Sequence, residues 1–138
     1  MIKNNRGSDR RSEYLEALES LPFVGDHKNG TRNFWAVEPV EDGNKGNEIG
    51  IDHAFEFIKF LAKYGGASGT LVHIVFDMEK SPETTTQKIG FLTTLNSVAA
   101  IGARHTDIEH YYKTKDADKR GHDNRNVVFL NARKSRQS

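Results

Sequence analysis

The sequence of 138 residues contains 28% charged residues, 36% hydrophobic residues and no cysteine, and its formal net charge is +1. This length is typical of one domain, and the lack of cysteine excludes disulfides, thiolate zinc sites and cysteine nucleophiles. No run of about 18 apolar residues and no apolar leader segment occurs, which favours a soluble, cytoplasmic protein over a secreted or membrane-spanning one.

The charge is distributed unevenly along the chain. Residues 1–11 carry +3 and residues 104–138 carry +4, whereas residues 12–103 carry −6. Basic ends are typical of arms that contact an anionic partner, and also of solvated termini. We expect a flexible basic arm at residues 1–8, a single domain at residues 9–132 and a basic tail at residues 133–138.

The first predicted elements are a helix and a strand. Apolar residues with helical spacing, among them Tyr14 and Leu18, predict a helix from about residue 9 to Leu21, before Pro22. Aromatic and branched residues predict a strand over residues 33–40.

A second helix is predicted to begin after Asp52, a good N-cap, and to end at Gly65 and Gly66. Residues 70–77 form the strongest predicted strand, because apolar residues occupy both of its faces, as in a strand covered on both sides. Strand, helix and strand in this order have the spacing of a right-handed βαβ unit.

The C-terminal half predicts one more helix and two more strands. A helix begins at Ser81 and Pro82 and ends at Gly102, residues 106–113 form a strand or a short helix, and residues 126–132 form a strand. The predicted fold is an α/β (α+β) domain. It has a mixed sheet of about four strands, three packed helices, one βαβ unit and a C-terminal β-hairpin.

Basic and aromatic residues concentrate near the C-terminus, where they are suited to contacting phosphates and stacking on bases. The candidate nucleic-acid-binding residues are Arg104, Tyr111, Lys113, Lys115, Lys119, Arg120, Arg125, Arg133 and Lys134. Acids at 116, 118 and 123 interrupt this run, so a mixed-charge hairpin tip without a ligand is the alternative. The pattern favours a small accessory or regulatory binding protein that needs no cofactor and makes no membrane contact. Nucleic acid is the favoured partner, contacted through the basic C-terminal hairpin and the two termini, and a protein is the alternative partner.

A second hypothesis is a small metal-assisted hydrolase, and only this hypothesis calls for a divalent metal. If residues 105–110 form a strand, one nitrogen and two carboxylates share a face, and two more acids follow the strand at residues 70–77. The candidate ligands are Asp77, Glu79, His105, Asp107 and Glu109. No catalytic residue is assigned with them, although His73 is either a catalytic base or a buried structural histidine.

A third hypothesis is a homo-oligomeric interaction module. It would pair through a surface containing Phe34 and Trp35, because aromatic residues are enriched at interfaces as well as in cores.

Overall fold

The computed structural model describes residues 6–64 and 69–122, with the side chains of residues 10–64 and 69–115. Of the described residues 71% are helical, and their strands form one two-stranded sheet. The elements are α1 (Arg6–Glu19), β1 (Gly25–Asp26), β2 (Arg32–Asn33), α2 (Gly43–Tyr64), α3 (Thr70–Met78), a 3₁₀ turn (Pro82–Thr84), α4 (Thr85–Arg104) and α5 (Ile108–His122). The predicted mixed sheet of four strands, with its βαβ unit and C-terminal hairpin, is wrong.

The short sheet is an antiparallel hairpin in which Gly25 pairs with Asn33 and Asp26 with Arg32. Its turn contains Gly30 at a φ of 85°, a conformation that favours glycine. Most of the strand predicted at residues 33–40 is irregular chain that runs over the helices.

Helix α3 replaces the strongest predicted strand. Its buried residues recur with the spacing of a helix and are Thr70, Ile74, Asp77 and Met78. Its exposed large apolar residues are Leu71, Val72, Val75 and Phe76. A short run with apolar residues on every side has no clear hydrophobic period. The sequence pattern of a strand covered on both faces is therefore the same as the pattern of this helix.

Helix α2 begins at Gly43, well before the predicted start at Asp52, because Asp42 caps it. The Asp42 Oδ1 atom accepts the backbone N–H of Asn44 at 2.9 Å and that of Lys45 at 3.3 Å. The helices predicted from residue 9 and from Ser81 are confirmed as α1 and as the 3₁₀ turn with α4.

Helices α2 and α4 approach each other at backbone distance through buried glycines. A Cβ atom at Gly50 would overlap the carbonyl oxygen of Gln87, and one at Gly90 would overlap the carbonyl oxygen of Asn47. Because each overlap involves backbone on the facing helix, a side chain could be accommodated only by moving the helices apart.

The aromatic core lies against this helix contact. Trp35 is 1% exposed, and its ring centroid lies 5.2 Å from that of Phe91 and 6.0 Å from that of Phe23. Its Nε1–H donates a 3.0 Å hydrogen bond to the hydroxyl of Thr84, which is also fully buried. The prediction that Trp35 lies with Phe34 on a pairing surface is therefore wrong, because Trp35 belongs to the core.

The chain divides into two compact units, Met1–Ser97 and Val98–Ser138, and the boundary falls within α4. Every core residue found among the described residues lies in the first unit. Helix α1 begins at Arg6, inside the predicted arm, while the predicted tail lies outside the described residues. The limits predicted for the domain stay predictions. No described helix has the length and apolar character that crossing a membrane requires.

Candidate interaction surface

The described side chains from residue 96 to residue 115 are all exposed. They include five large apolar or aromatic residues with exposed fractions between 38% and 58%: Val98, Ile101, Ile108, Tyr111 and Tyr112. We call residues 98–115 the C-terminal helical surface. An amphipathic helix is normally stabilised by burying its apolar stripe against another element, whereas the side chains described on this surface are exposed.

Local capping explains why residues 108–113 form the start of helix α5 and not a strand. The Asp107 Oδ1 atom accepts the backbone N–H of His110 at 3.0 Å, and the Asp107 carbonyl accepts that of Tyr111 at 2.9 Å. Glu109 lies in the first turn, where a negative charge favours the helix dipole. The alternative of a short helix was closer to the structure, although α5 extends to His122.

The candidate nucleic-acid-binding residues fall into three groups. Arg104, Tyr111, Lys113 and Lys115 lie on the C-terminal helical surface and are exposed. Positions 119 and 120 (Lys119 and Arg120) lie within α5, and Arg125, Arg133 and Lys134 lie outside the described residues. The ammonium group of Lys115 lies 5.7 Å from the centre of the Tyr111 ring, within the range of a cation–π contact.

The candidate metal ligands do not form a recognisable metal site. In the part of the chain that the structure describes, no group of three or more His, Asp or Glu side chains could hold a metal ion. Asp77 lies in α3 and Glu79 follows it, whereas His105 and Asp107 lie in the turn before α5 and Glu109 in its first turn. The strand that would have placed the last three on one face is absent, because residues 108–122 are helical.

Asp77 instead holds α3 to the irregular chain after β2. Its Oδ2 atom accepts the backbone N–H of Phe34 at 2.8 Å, and its Oδ1 atom lies 3.3 Å from Lys80 Nζ. The Nε2 atom of His27 is buried, lies 3.4 Å from the same Oδ1 atom and has no hydrogen-bond partner among the described residues. These contacts line a polar cleft of about 290 Å³.

The contacts keep the Asp77 carboxyl ionised. Burial alone would raise its pKa, but the backbone N–H of Phe34 and the side chains of Lys80 and His27 favour the carboxylate more strongly, so the pKa is lowered from 3.8. Burial lowers the pKa of His53 from 6.5, although the charge of Asp52 opposes the shift. Its ring lies 5.5 Å from that of Phe23, which explains the apolar environment.

The other candidate histidine, His73, is exposed rather than buried. Its ring stacks on that of Phe34 at 5.0 Å between centroids. The prediction of a partly buried histidine in a strand is therefore wrong, and the stacked ring faces solvent on an apolar surface of α3.

We expect the stability of the protein to fall in two steps as the pH is lowered. Below about pH 6.5 the unfolded chain binds a proton at His53 that the folded protein resists, and below about pH 4 the same holds for Asp77. Both pKa values are lowered by folding, so both contributions are present at higher pH and lost in acid. Urea unfolding followed through Trp35 fluorescence at about pH 7, 5 and 3 measures these steps.

The variant Asp77→Asn tests whether Asp77 causes the loss of stability below about pH 4. It keeps an oxygen for Phe34 N–H but removes the charge beside Lys80 and His27, so we expect a loss of about 1–3 kcal/mol at neutral pH and a smaller decline below pH 4. An unchanged decline below pH 4 in this variant would show that Asp77 is not its source.

Comparisons with protein-family models, with curated proteins and with solved structures give no match for this chain. The functional proposal for the candidate site therefore rests on the geometry of this chain alone.

Two features of the site were missing from the sequence prediction. The part of the exposed apolar stripe that lies on α5 is predicted as a strand or a short helix, because Ile108 and Tyr112 share a face in either conformation. The anchoring role of Asp77 has no local signal, since its partners Phe34 and His27 lie more than 40 residues earlier in the chain. Asp107 as an N-cap, with Glu109 in the first turn, is the sequence signal that identifies the start of α5.

Proposed function

We propose that this protein works by binding another protein, and that the C-terminal helical surface is the contact region. The observation that carries the proposal is the exposure of its five large apolar and aromatic residues along two helices. Exposed apolar patches with tyrosine and arginine at their centre or edge are typical of protein interfaces. Arg104, at the end of α4, supplies the arginine.

The second candidate partner is nucleic acid, and a separate observation favours it. Arg104 and Lys113 make no ion pair within the described residues, so their charges can meet phosphates. Lys115 makes no ion pair there either, although its ammonium group lies over the Tyr111 ring. Tyr111 and Tyr112 supply exposed rings for stacking on bases. Val98, Ile101 and Ile108 have no role in such binding, which is why a protein partner is the first candidate.

The proposed function is tested by a photo-crosslinking residue at position 112. The side chain of Tyr112 is replaced by p-benzoylphenylalanine in the full chain, in cells of the source organism, and a chain with the same substitution at exposed Lys28 serves as control. We expect covalent adducts of defined protein mass from position 112 and not from position 28. The absence of any adduct specific to position 112 would contradict the proposal.

The nucleic-acid candidate predicts a different result. Purified protein would bind DNA or RNA with an affinity that falls steeply as salt increases, because counterions are released from the phosphates. The double variant Lys113→Ala, Lys115→Ala would weaken this binding, whereas the matched variant Lys28→Ala, Lys45→Ala would not. An equal loss of affinity in both variants would show that the C-terminal helical surface does not contact nucleic acid.

A further inference from the structure

We infer that Asn29 is a site of spontaneous chemical modification, at which the side-chain amide becomes a carboxylate by way of a cyclic succinimide. The juxtaposition that carries the inference is an exposed Asn29–Gly30 pair whose side-chain oxygen accepts two hydrogen bonds from Thr31. The reactants are a backbone nitrogen, the side-chain amide and water.

Asn29 lies in the turn that joins β1 to β2. In this turn the N–H of His27 donates to the carbonyl of Thr31 at 2.7 Å, and the N–H of Gly30 donates to the carbonyl of His27 at 2.9 Å. No other asparagine in the sequence is followed by glycine. Because glycine has no Cβ atom, its nitrogen can approach a neighbouring carbonyl carbon without a steric clash. Both residues of the pair are exposed, so water reaches them.

The reaction joins two atoms of neighbouring residues. The backbone nitrogen of Gly30 gives its proton to solvent and forms a bond to Cγ of Asn29. The bond between Cγ and Nδ2 then breaks, and Nδ2 takes up a proton and leaves as ammonia. Water adds to either carbonyl carbon of the resulting ring and opens it, which leaves aspartate or isoaspartate at position 29. No oxidation or reduction takes place.

Thr31 stabilises the charge that develops during the attack. As the nitrogen approaches Cγ, negative charge moves onto Oδ1 of Asn29. This atom accepts the backbone N–H of Thr31 at 3.0 Å and the Thr31 hydroxyl at 2.6 Å, so both donors are in place where the oxyanion forms. Donors that are preorganised around a developing oxyanion accelerate acyl transfer.

The hydrogen bond from the Gly30 N–H to the His27 carbonyl opposes the reaction, because it must break before the nitrogen attacks. It lies in an exposed turn, where backbone hydrogen bonds open at a small cost in free energy. The two donors of Thr31 contact a different atom, the Oδ1 of Asn29.

The modification would change the turn beside the polar cleft of Asp77. Either product adds a negative charge to the turn, and isoaspartate also lengthens its backbone. His27 belongs to the same turn, lines the cleft and lies 3.4 Å from Asp77. A change at Asn29 is therefore placed to alter the contact between the hairpin and α3.

The inference is tested by incubating the native full-length protein in mildly alkaline buffer and following Asn29 by mass spectrometry of its peptides. Replacement of the amide nitrogen by oxygen gives a small, defined increase in mass. We expect conversion at Asn29 and none in the same time at Asn96, an exposed residue that precedes Ser97 within α4. No conversion at Asn29, or equal conversion at both residues, would overturn the inference.

The variant Thr31→Val isolates the contribution of the turn. It keeps the branched shape of the side chain but removes the hydroxyl donor, so Asn29 in the native protein should convert about tenfold more slowly, a smaller effect than in a water-excluded active site. Thr31→Ser keeps the hydroxyl and should convert within about threefold of wild type. In concentrated urea, where the turn is unfolded, all three chains should convert at the same rate. A native Thr31→Val protein as fast as wild type, or one slowed equally in urea, would overturn the role of Thr31.

Discussion

Gly50→Ala is expected to lower the free energy of unfolding by about 3 kcal/mol or more. The added Cβ would overlap the backbone carbonyl of Gln87, where α2 and α4 lie closest together. A flexible side chain could move aside, but a carbonyl within a helix moves only with its helix. Since Gln87 also donates a 2.9 Å hydrogen bond from Nε2 to the carbonyl of Glu38, the displacement would reach the irregular chain around the core.

The matched control for this prediction is Gly43→Ala, in the same helix. A Cβ atom there would meet Thr86 Cγ2 at 3.5 Å, an ordinary van der Waals contact. We expect its free energy of unfolding to change by about 0.5 kcal/mol or less. Urea unfolding followed by Trp35 fluorescence compares the two variants, and equal losses would show that α2 and α4 are not in backbone contact at Gly50.

Phe91→Ala is expected to cost about 3–5 kcal/mol, because it removes the ring at the centre of the aromatic core. Phe91 is fully buried, and its ring centroid lies 5.5 Å from that of Phe23, 5.2 Å from that of Trp35 and 5.8 Å from that of Phe57. The cavity would be lined by rigid rings that collapse poorly, so the loss should lie towards the upper end of this range.

Ile89→Ala is the control for the core prediction. Ile89 lies two residues away on α4 and is 52% exposed, so its truncation should change the free energy of unfolding by about 0.5 kcal/mol or less. A larger loss from Ile89→Ala than from Phe91→Ala would mean that the two faces of α4 have been assigned the wrong way round.

The helices that could be predicted from the sequence have either a one-sided apolar stripe or a proline at the first helical position. Helix α1 has Leu18 buried and glutamates outside, and the start of α4 has Ser81 and Pro82. The strand predicted at residues 70–77 failed because Leu71, Val72, Val75 and Phe76 are apolar yet exposed in α3. Sequence pattern assumes that apolar residues are buried within the chain, and these four residues of α3 do not meet that assumption.

The role of the candidate site stays a prediction. The sequence singles out Arg104, Tyr111, Lys113 and Lys115 for their charge and aromaticity, and the side chains of all four are exposed. Their arrangement could not be predicted, because a strand places Tyr111 on the face opposite Ile108, whereas a helix places the two residues on one face. The metal hypothesis placed His105, Asp107 and Glu109 on one face of a strand, and the described residues from 108 onwards are helical instead.

Photo-crosslinking from position 112 tests most directly whether the C-terminal helical surface contacts another protein. The account predicts covalent adducts of defined protein mass from position 112 and none from exposed position 28. No adducts from position 112, or the same adducts from both positions, would contradict it.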